Sequence, residues 1–172
     1  MLGDVSMILV SACLLGNKTR YDGGAAPNEL LLRYNSLAQY IAVCPECFGQ
    51  LPIPHPPSEI QNGDGATVLA GKAKVISKTN TQDITANFCE GADKVLKIAQ
   101  AYKVKYAFLK EDSPSCGVNM IYDGSFSHTK VCGQGVCAAL LVQHGIKVYS
   151  EEDLTEDLLK IILEEDKKSE QK

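Results

Sequence analysis

The chain has 172 residues, 45% of them hydrophobic and 22% charged, with no Trp; that length holds one domain with a full core, and that composition excludes the disordered, fibrous and membrane-embedded classes. Seventeen Lys and Arg against 21 Asp and Glu give a formal charge of −4. No positive excess is left to neutralise a phosphate backbone, which argues against nucleic acid as the primary ligand.

In chain order, residues 1–16 contain an apolar stretch without a basic segment before it or a small-residue cleavage site, so no secretory signal is expected. No run approaches the roughly 18 apolar residues of a membrane span. The run Met7-Ile8-Leu9-Val10-Ser11-Ala12 reads as a strand buried on both faces, with Cys13 directly after it. Residues 17–27 lack periodicity and predict a loop, and Asn28 is a natural N-cap for a helix expected to reach Gln39. Ile41-Ala42-Val43-Cys44 is a second buried strand. Pro45, Pro52, Pro54, Pro56 and Pro57 then exclude a helix or central strand and predict a long ordered loop of functional character.

Asn62-Gly63-Asp64-Gly65 is turn chemistry, and residues 67–77 predict one or two short strands with a turn at Gly71. Over 83–101, Ile84, Phe88, Ala92, Val95, Leu96 and Ala99 recur at helical spacing, with Lys94 and Lys97 on the outer side. Tyr106-Ala107-Phe108-Leu109 is a third buried strand, 121–126 a hairpin around Asp123-Gly124, 133–144 a helix closed by Gly145, 146–149 a fourth strand and 154–163 a last amphipathic helix. Alternating strands and helices predict an α/β fold: a single domain over 1–163 with a Rossmann-like doubly wound, mostly parallel sheet and a small β-hairpin elaboration. The all-polar tail, 164–172, is expected to fray.

Seven cysteines fall well short of the roughly 8–10% that marks a disulfide scaffold. In a cytoplasmic protein such thiols stay reduced, and clustered cysteines point to metal binding or catalysis. Cys13 follows the first strand, Cys44 ends the second and Cys116 lies just beyond the third. The carboxyl ends of parallel strands are neighbours about 4.8 Å apart, so short loops bring these thiols to one edge. Three thiolates suit either zinc or an iron-sulfur cluster with one iron left open. Glu46, two residues from Cys44, is placed to act as a general base on water or else is a solvated loop carboxylate. Ser113 and Ser115 precede Cys116, where they orient a substrate, donate to cluster sulfurs or cap a turn.

The other features carry less. A redox Cys-x-x-Cys should open a helix, and the prolines after Cys44-Pro45-Glu46-Cys47 disfavour one, so the redox reading is weak. Of the histidines, His128 falls in the predicted hairpin and His144 near a helix end, which leaves His55 in the proline-rich loop as the one near the site. Gly133-Gln134-Gly135 is a fragment of an anion-cradling turn. Cys89, Cys132 and Cys137 read as spectators.

Taken together, Val10-Ser11-Ala12-Cys13-Leu14-Leu15-Gly16, Arg20-Tyr21-Asp22-Gly23, Val43-Cys44-Pro45-Glu46, Pro56-Pro57 with Glu59-Ile60, Asn62-Gly63-Asp64-Gly65, and Leu109-Lys110 with Ser113-Pro114-Ser115-Cys116-Gly117 resemble the DUF523 family, which includes the thiouracil desulfidases. The resemblance runs from about Met7 to Glu151. It implies a [4Fe-4S] cluster held by Cys13, Cys44 and Cys116, with Glu46 activating water and Ser113 or Ser115 positioning a thiolated nucleobase or related thiocarbonyl compound. The implied activity is hydrolytic sulfur removal, for example 2-thiouracil to uracil with release of hydrogen sulfide. A zinc or other metal-thiolate protein without desulfidase activity is the alternative. Two positions depart from the family's pattern: His55 stands where the proline-rich loop commonly carries Arg, and Cys47 is an extra thiol, held as a reserve ligand.

Overall fold

The structure, a computed structural model, describes residues 7–169. Met7–Ser11 forms β1 and runs into a single 3-10 turn at Ala12–Leu15; Glu29–Arg33 forms α1, Gln39–Val43 β2 and Pro45–Phe48 the one-turn α2. Ser58–Gln61 (β3), Gly65–Leu69 (α3) and Lys74–Ser77 (β4) precede the long α4, Thr85–Ala101. Tyr106–Leu109 (β5), Met120–Tyr122 (β6), Lys130–Cys132 (β7), Val136–Gln143 (α5), Lys147–Ser150 (β8) and Glu156–Ser169 (α6) follow.

The apolar runs pair into one sheet in the order β2-β1-β5-β8, parallel at every pairing. The two central strands, β1 and β5, are almost wholly buried because both faces of the sheet are covered there, whereas the edge strands β2 and β8 leave Gln39 and Lys147 exposed. Ile8 and Val10 of β1, with Tyr106 and Phe108 of β5, face Leu31 of α1 and Leu159 and Ile162 of α6. Leu9, Ala107 and Leu109 point the other way, into a core with Phe88, Ala92, Val95 and Ala99 of α4 and Ala138 and Leu141 of α5. The expected single-domain, doubly wound α/β architecture is therefore present, with antiparallel pairs β3–β4 and β6–β7 as additions.

Several elements differ from the sequence expectation. The helix after Asn28 is short. Asn28 caps it as expected, its side chain accepting from the N–H groups of Leu30 and Leu31 at 3.1 Å each. It ends at Arg33, however, because Tyr34 turns out to donate its hydroxyl to Glu156 of α6 and Asn35-Ser36 are weak helix formers. The proline-rich segment does hold a helix: Pro45 sits in the first turn of α2, where its missing N–H costs nothing. Residues 65–69 are helical rather than extended, since Asp64 accepts from the Thr67 N–H at 3.0 Å and its hydroxyl at 2.8 Å. The turn at Gly71 precedes the strand β4, and its partner β3 is an element the sequence reading lacked. The hairpin at 121–126 is wider than expected, its strands β6 and β7 joined by residues 123–129. α6 continues past Leu163 to Ser169, with Tyr106 donating to Glu165 at 2.5 Å, while the rest of the expected frayed tail, 170–172, lies outside the described residues.

One contact sets the position of the site. A Cβ on Gly91 of α4 would stand 1.9 Å from the Pro45 carbonyl oxygen, so only Gly allows α2 to lie against α4. Asn87 and Lys94 of α4 then donate to the carbonyls of Gly49 and Phe48, both at 2.8 Å. A long, well-packed helix thus fixes the short turn that carries Cys44 and Glu46.

Candidate active site

Ser11 pairs with Val43 and Val10 with Phe108, so β1, β2 and β5 end side by side. Cys13 in the 3-10 turn, Cys44 before α2 and Cys116 beyond β5 line one cavity of about 270 Å³ together with Glu46, Ser113 and Ser115. The sequence reading named these six residues, and the structure brings all six together.

All seven cysteines are free thiols. Cys13 is 8% and Cys116 5% exposed. Burial pushes the Cys13 thiol up to about 11, with Cys44 adding to the rise and Lys110 and Arg20 opposing it. Burial likewise raises Cys116, with Cys137 and Cys44 adding to it and the hydroxyls of Ser11 and Ser115 opposing. Cys44 donates to the Thr19 carbonyl at 3.6 Å. Buried thiols of this kind are poor nucleophiles by themselves and become thiolates when a cationic centre binds them. Among the described residues, no group of three or more His, Cys, Asp or Glu converges closely enough to hold one metal ion. Zinc requires every sulfur at about 2.3 Å from a single point, whereas a cluster spreads its thiolates over separate irons. Three thiols lining a shared cavity are a donor set that fits a cluster with one iron left open.

Glu46 is held from two sides. Ser115 Oγ donates to Oε1 at 3.1 Å, and His55 Nε2 lies 3.0 Å from Oε2. Contact with Glu46 raises the His55 pKa, burial opposes it and the Pro52 carbonyl adds to it. Ser115 Oγ also lies 2.9 Å from Ser113 Oγ and 3.6 Å from Cys116 Sγ. The two serines make different contacts, and the one with Glu46 was not foreseen from the sequence. Ser113 caps the turn, accepting from the N–H groups of Ser115 and Cys116 at 3.2 Å each, while Ser115 reaches Glu46.

The turn that carries Cys116 is braced from below. Glu111, 2% exposed, accepts from the N–H groups of Val118, Asn119 and Met120 at 2.8, 3.0 and 3.1 Å. Burial pushes its carboxyl up, but these donors and Ser150 outweigh burial and leave it below the usual Glu value. The expected anion-cradling turn has another use: the N–H groups of Gly135, Val136 and Cys137 donate to the carbonyls of Gly117, Pro114 and Ser115, each at 2.8 Å. A Cβ on Gly135 would stand 2.5 Å from the Ser115 carbonyl carbon. Gly135→Ala should therefore destabilise the fold by roughly 1–3 kcal/mol in equilibrium urea unfolding, because backbone must move rather than a side chain. Wild-type stability in that variant would show that the turn yields without cost.

Three further readings change. Cys44-Pro45-Glu46-Cys47 does open a helix, and Cys47 lies beside Cys44 with its thiol pushed up to about 12, chiefly by burial and then by Cys44. His128 lines the cavity, because the segment between β6 and β7 folds over β3: the Phe126 N–H donates to Glu59 at 3.0 Å and Gln61 to the Gly124 carbonyl at 3.1 Å. Lys110, paired with Glu151, and Lys78 also line it and lacked an assigned role in the sequence reading. Lys110 directly follows β5 and so shares the edge where the three thiols lie, whereas Lys78 and His128 arrive by long-range contact. Cys137 is fully buried in the core, Cys89 packs partly against it, and Cys132 is exposed on β7. His144 contacts the Leu140 carbonyl at 2.9 Å near the end of α5.

The family model described as 2-thiouracil desulfurase matches residues 8–153. The uncharacterized protein YbbK of Bacillus subtilis (strain 168) is 42% identical over 152 residues, covering 88% of this chain and 100% of that protein. A solved structure of the [4Fe-4S]-dependent thiouracil desulfidase TudS superposes with a TM-score of 0.79 at 39% identity, covering 92% of this chain and 99% of that one. The chain belongs to the 2-thiouracil desulfurase family, as the resemblance of its motifs implied.

Proposed function

We propose that this protein is a [4Fe-4S]-dependent desulfidase that converts a thiocarbonyl compound such as 2-thiouracil to its oxygen analogue. The observation that carries the reading is the joint placement of Cys13, Cys44, Cys116, Glu46 and Ser115 around one cavity in a chain 39% identical to a thiouracil desulfidase of that type. The overall change is 2-thiouracil plus water to uracil plus hydrogen sulfide, with no net transfer of electrons.

Cys13, Cys44 and Cys116 would hold the cluster. When bound, it supplies a Lewis-acidic iron for the departing sulfur. Glu46 accepts a proton from the water that attacks the thiocarbonyl carbon, and Ser115, aligned by Ser113, fixes the direction of the carboxylate. The cavity, at about 270 Å³, lies at the small end of ligand pockets and would be shared with the cluster, which leaves room for a small molecule rather than a polymer. The formal charge of −4 agrees with that choice. Seven free thiols suit the reducing cytoplasm, where we place the protein. Among the described residues, no helix is long and apolar enough to cross a membrane.

The test is anaerobic reconstitution with iron and sulfide, then visible absorption, iron analysis and a hydrogen sulfide assay with 2-thiouracil. A brown protein that releases sulfide and forms uracil in equal amounts is the expected result. A colourless protein that instead retains zinc would favour the metal-thiolate alternative.

A further inference from the structure

Only one of the two groups that hold Glu46 belongs to the motifs around the cysteines. The other, His55, arrives on the proline-rich loop. Its backbone N–H donates to the Tyr21 carbonyl at 2.8 Å, and its ring meets the Tyr21 ring edge-on with centroids 6.4 Å apart. Its Nδ1 lies 2.7 Å from the Pro52 carbonyl oxygen. A carbonyl only accepts, so this contact keeps a hydrogen on Nδ1 in both the neutral and the charged ring. Nε2 then carries a hydrogen only in the imidazolium. In the neutral ring, a lone pair would face the carboxylate oxygen 3.0 Å away. Nε2 has no hydrogen-bond partner elsewhere among the described residues.

We propose that His55 is the positioning residue for Glu46: as an imidazolium clamped by Pro52, it holds one carboxylate oxygen so that the other faces Ser115 and stays ready to accept a proton from water. The inference rests on the reading of Glu46 as the base and deepens it. Among the described residues, Glu46 of α2 and Tyr21 of the preceding loop are titratable groups that face the ring. A His whose folded pKa is raised contributes fully below its ordinary value of about 6.5, and the contribution fades as pH rises through the raised value. The rate should therefore fall on the alkaline side as His55 loses its proton.

The experiment uses the cluster-loaded full chain. His55→Ala is expected to lower kcat about 10- to 100-fold, with KM changed less than about threefold and iron content unchanged. His55→Arg, a permanent cation with several donors, should recover most of kcat and lose the alkaline fall. Separately, imidazole 15N resonances should show His55 titrating at higher pH in the wild type than in Glu46→Gln. Unchanged kcat in His55→Ala would overturn the proposal, and so would an identical His55 titration with and without the Glu46 charge. The titration needs no turnover. A chain inactive on 2-thiouracil but with a Glu46-dependent His55 titration would sink the substrate reading and leave the His55–Glu46 interaction standing.

Discussion

Single Ala replacements of Cys13, Cys44 and Cys116 are each expected to yield a folded chain that retains no cluster after reconstitution, read as loss of visible absorption and bound iron. The large effect follows from the donor set: these thiols line one cavity, and removing one leaves a cluster only two protein anchors. Packing loss alone does not account for it. A Cys→Ala change removes one buried sulfur, a smaller loss than the roughly 2–5 kcal/mol of Leu→Ala in a core, so circular dichroism and cooperative unfolding should survive. Cys47→Ala and Cys137→Ala are the controls. Cys47 lies beside Cys44 and Cys137 lies close to Cys116, so both test whether proximity alone makes a ligand. Full iron content in Cys44→Ala together with loss in Cys47→Ala would exchange their roles. Full iron content in all three ligand variants would end the cluster reading.

Glu46→Gln is expected to keep the cluster and lower kcat by about 10²–10⁴, the range associated with general acid–base catalysis. The side chain keeps its size, so Ser115 still meets an oxygen or an amide. What disappears is the carboxylate that accepts the proton. Because the change bears on the transition state more than on binding, KM should move little, and kcat and kcat/KM should fall together. Iron content equal to wild type is the necessary companion measurement, since Glu46 stands two residues from Cys44. A Glu46→Gln variant with wild-type kcat would remove Glu46 from the reaction. Loss of iron in that variant would assign it to cluster binding instead.

The parts of this protein that could be read from its sequence are those where the local chain carries the cause. β1 and β5 are short apolar runs because central strands covered on both faces need apolar side chains at nearly every position. α4 shows its buried stripe at helical spacing, and Asn28 has the side chain of an N-cap. Cys13, Cys44 and Cys116 could be placed at one edge because parallel strands put their carboxyl ends together. Errors fall where a long-range contact outweighs local preference. α2 exists in a proline-rich segment because α4 binds its carbonyls, and α1 is cut short where Tyr34 meets α6.

The same division runs through the site. Residue types and the order of elements along the chain were sufficient to predict the class of fold and to place three thiols and a nearby carboxylate at one sheet edge, since each follows from hydrophobic patterning and the position of a residue relative to a strand end. Only the tertiary structure decided that Ser115 rather than Ser113 reaches Glu46, that His55 Nε2 comes within 3.0 Å of the opposite oxygen, and that the segment between β6 and β7 brings His128 to the cavity. Ser113 and Ser115 are chemically identical and two residues apart, so only the turn's hydrogen bonds separate them. His55 and Glu46 meet because the loop between them folds back onto Tyr21, and that distance is a property of the packed chain rather than of any segment in it.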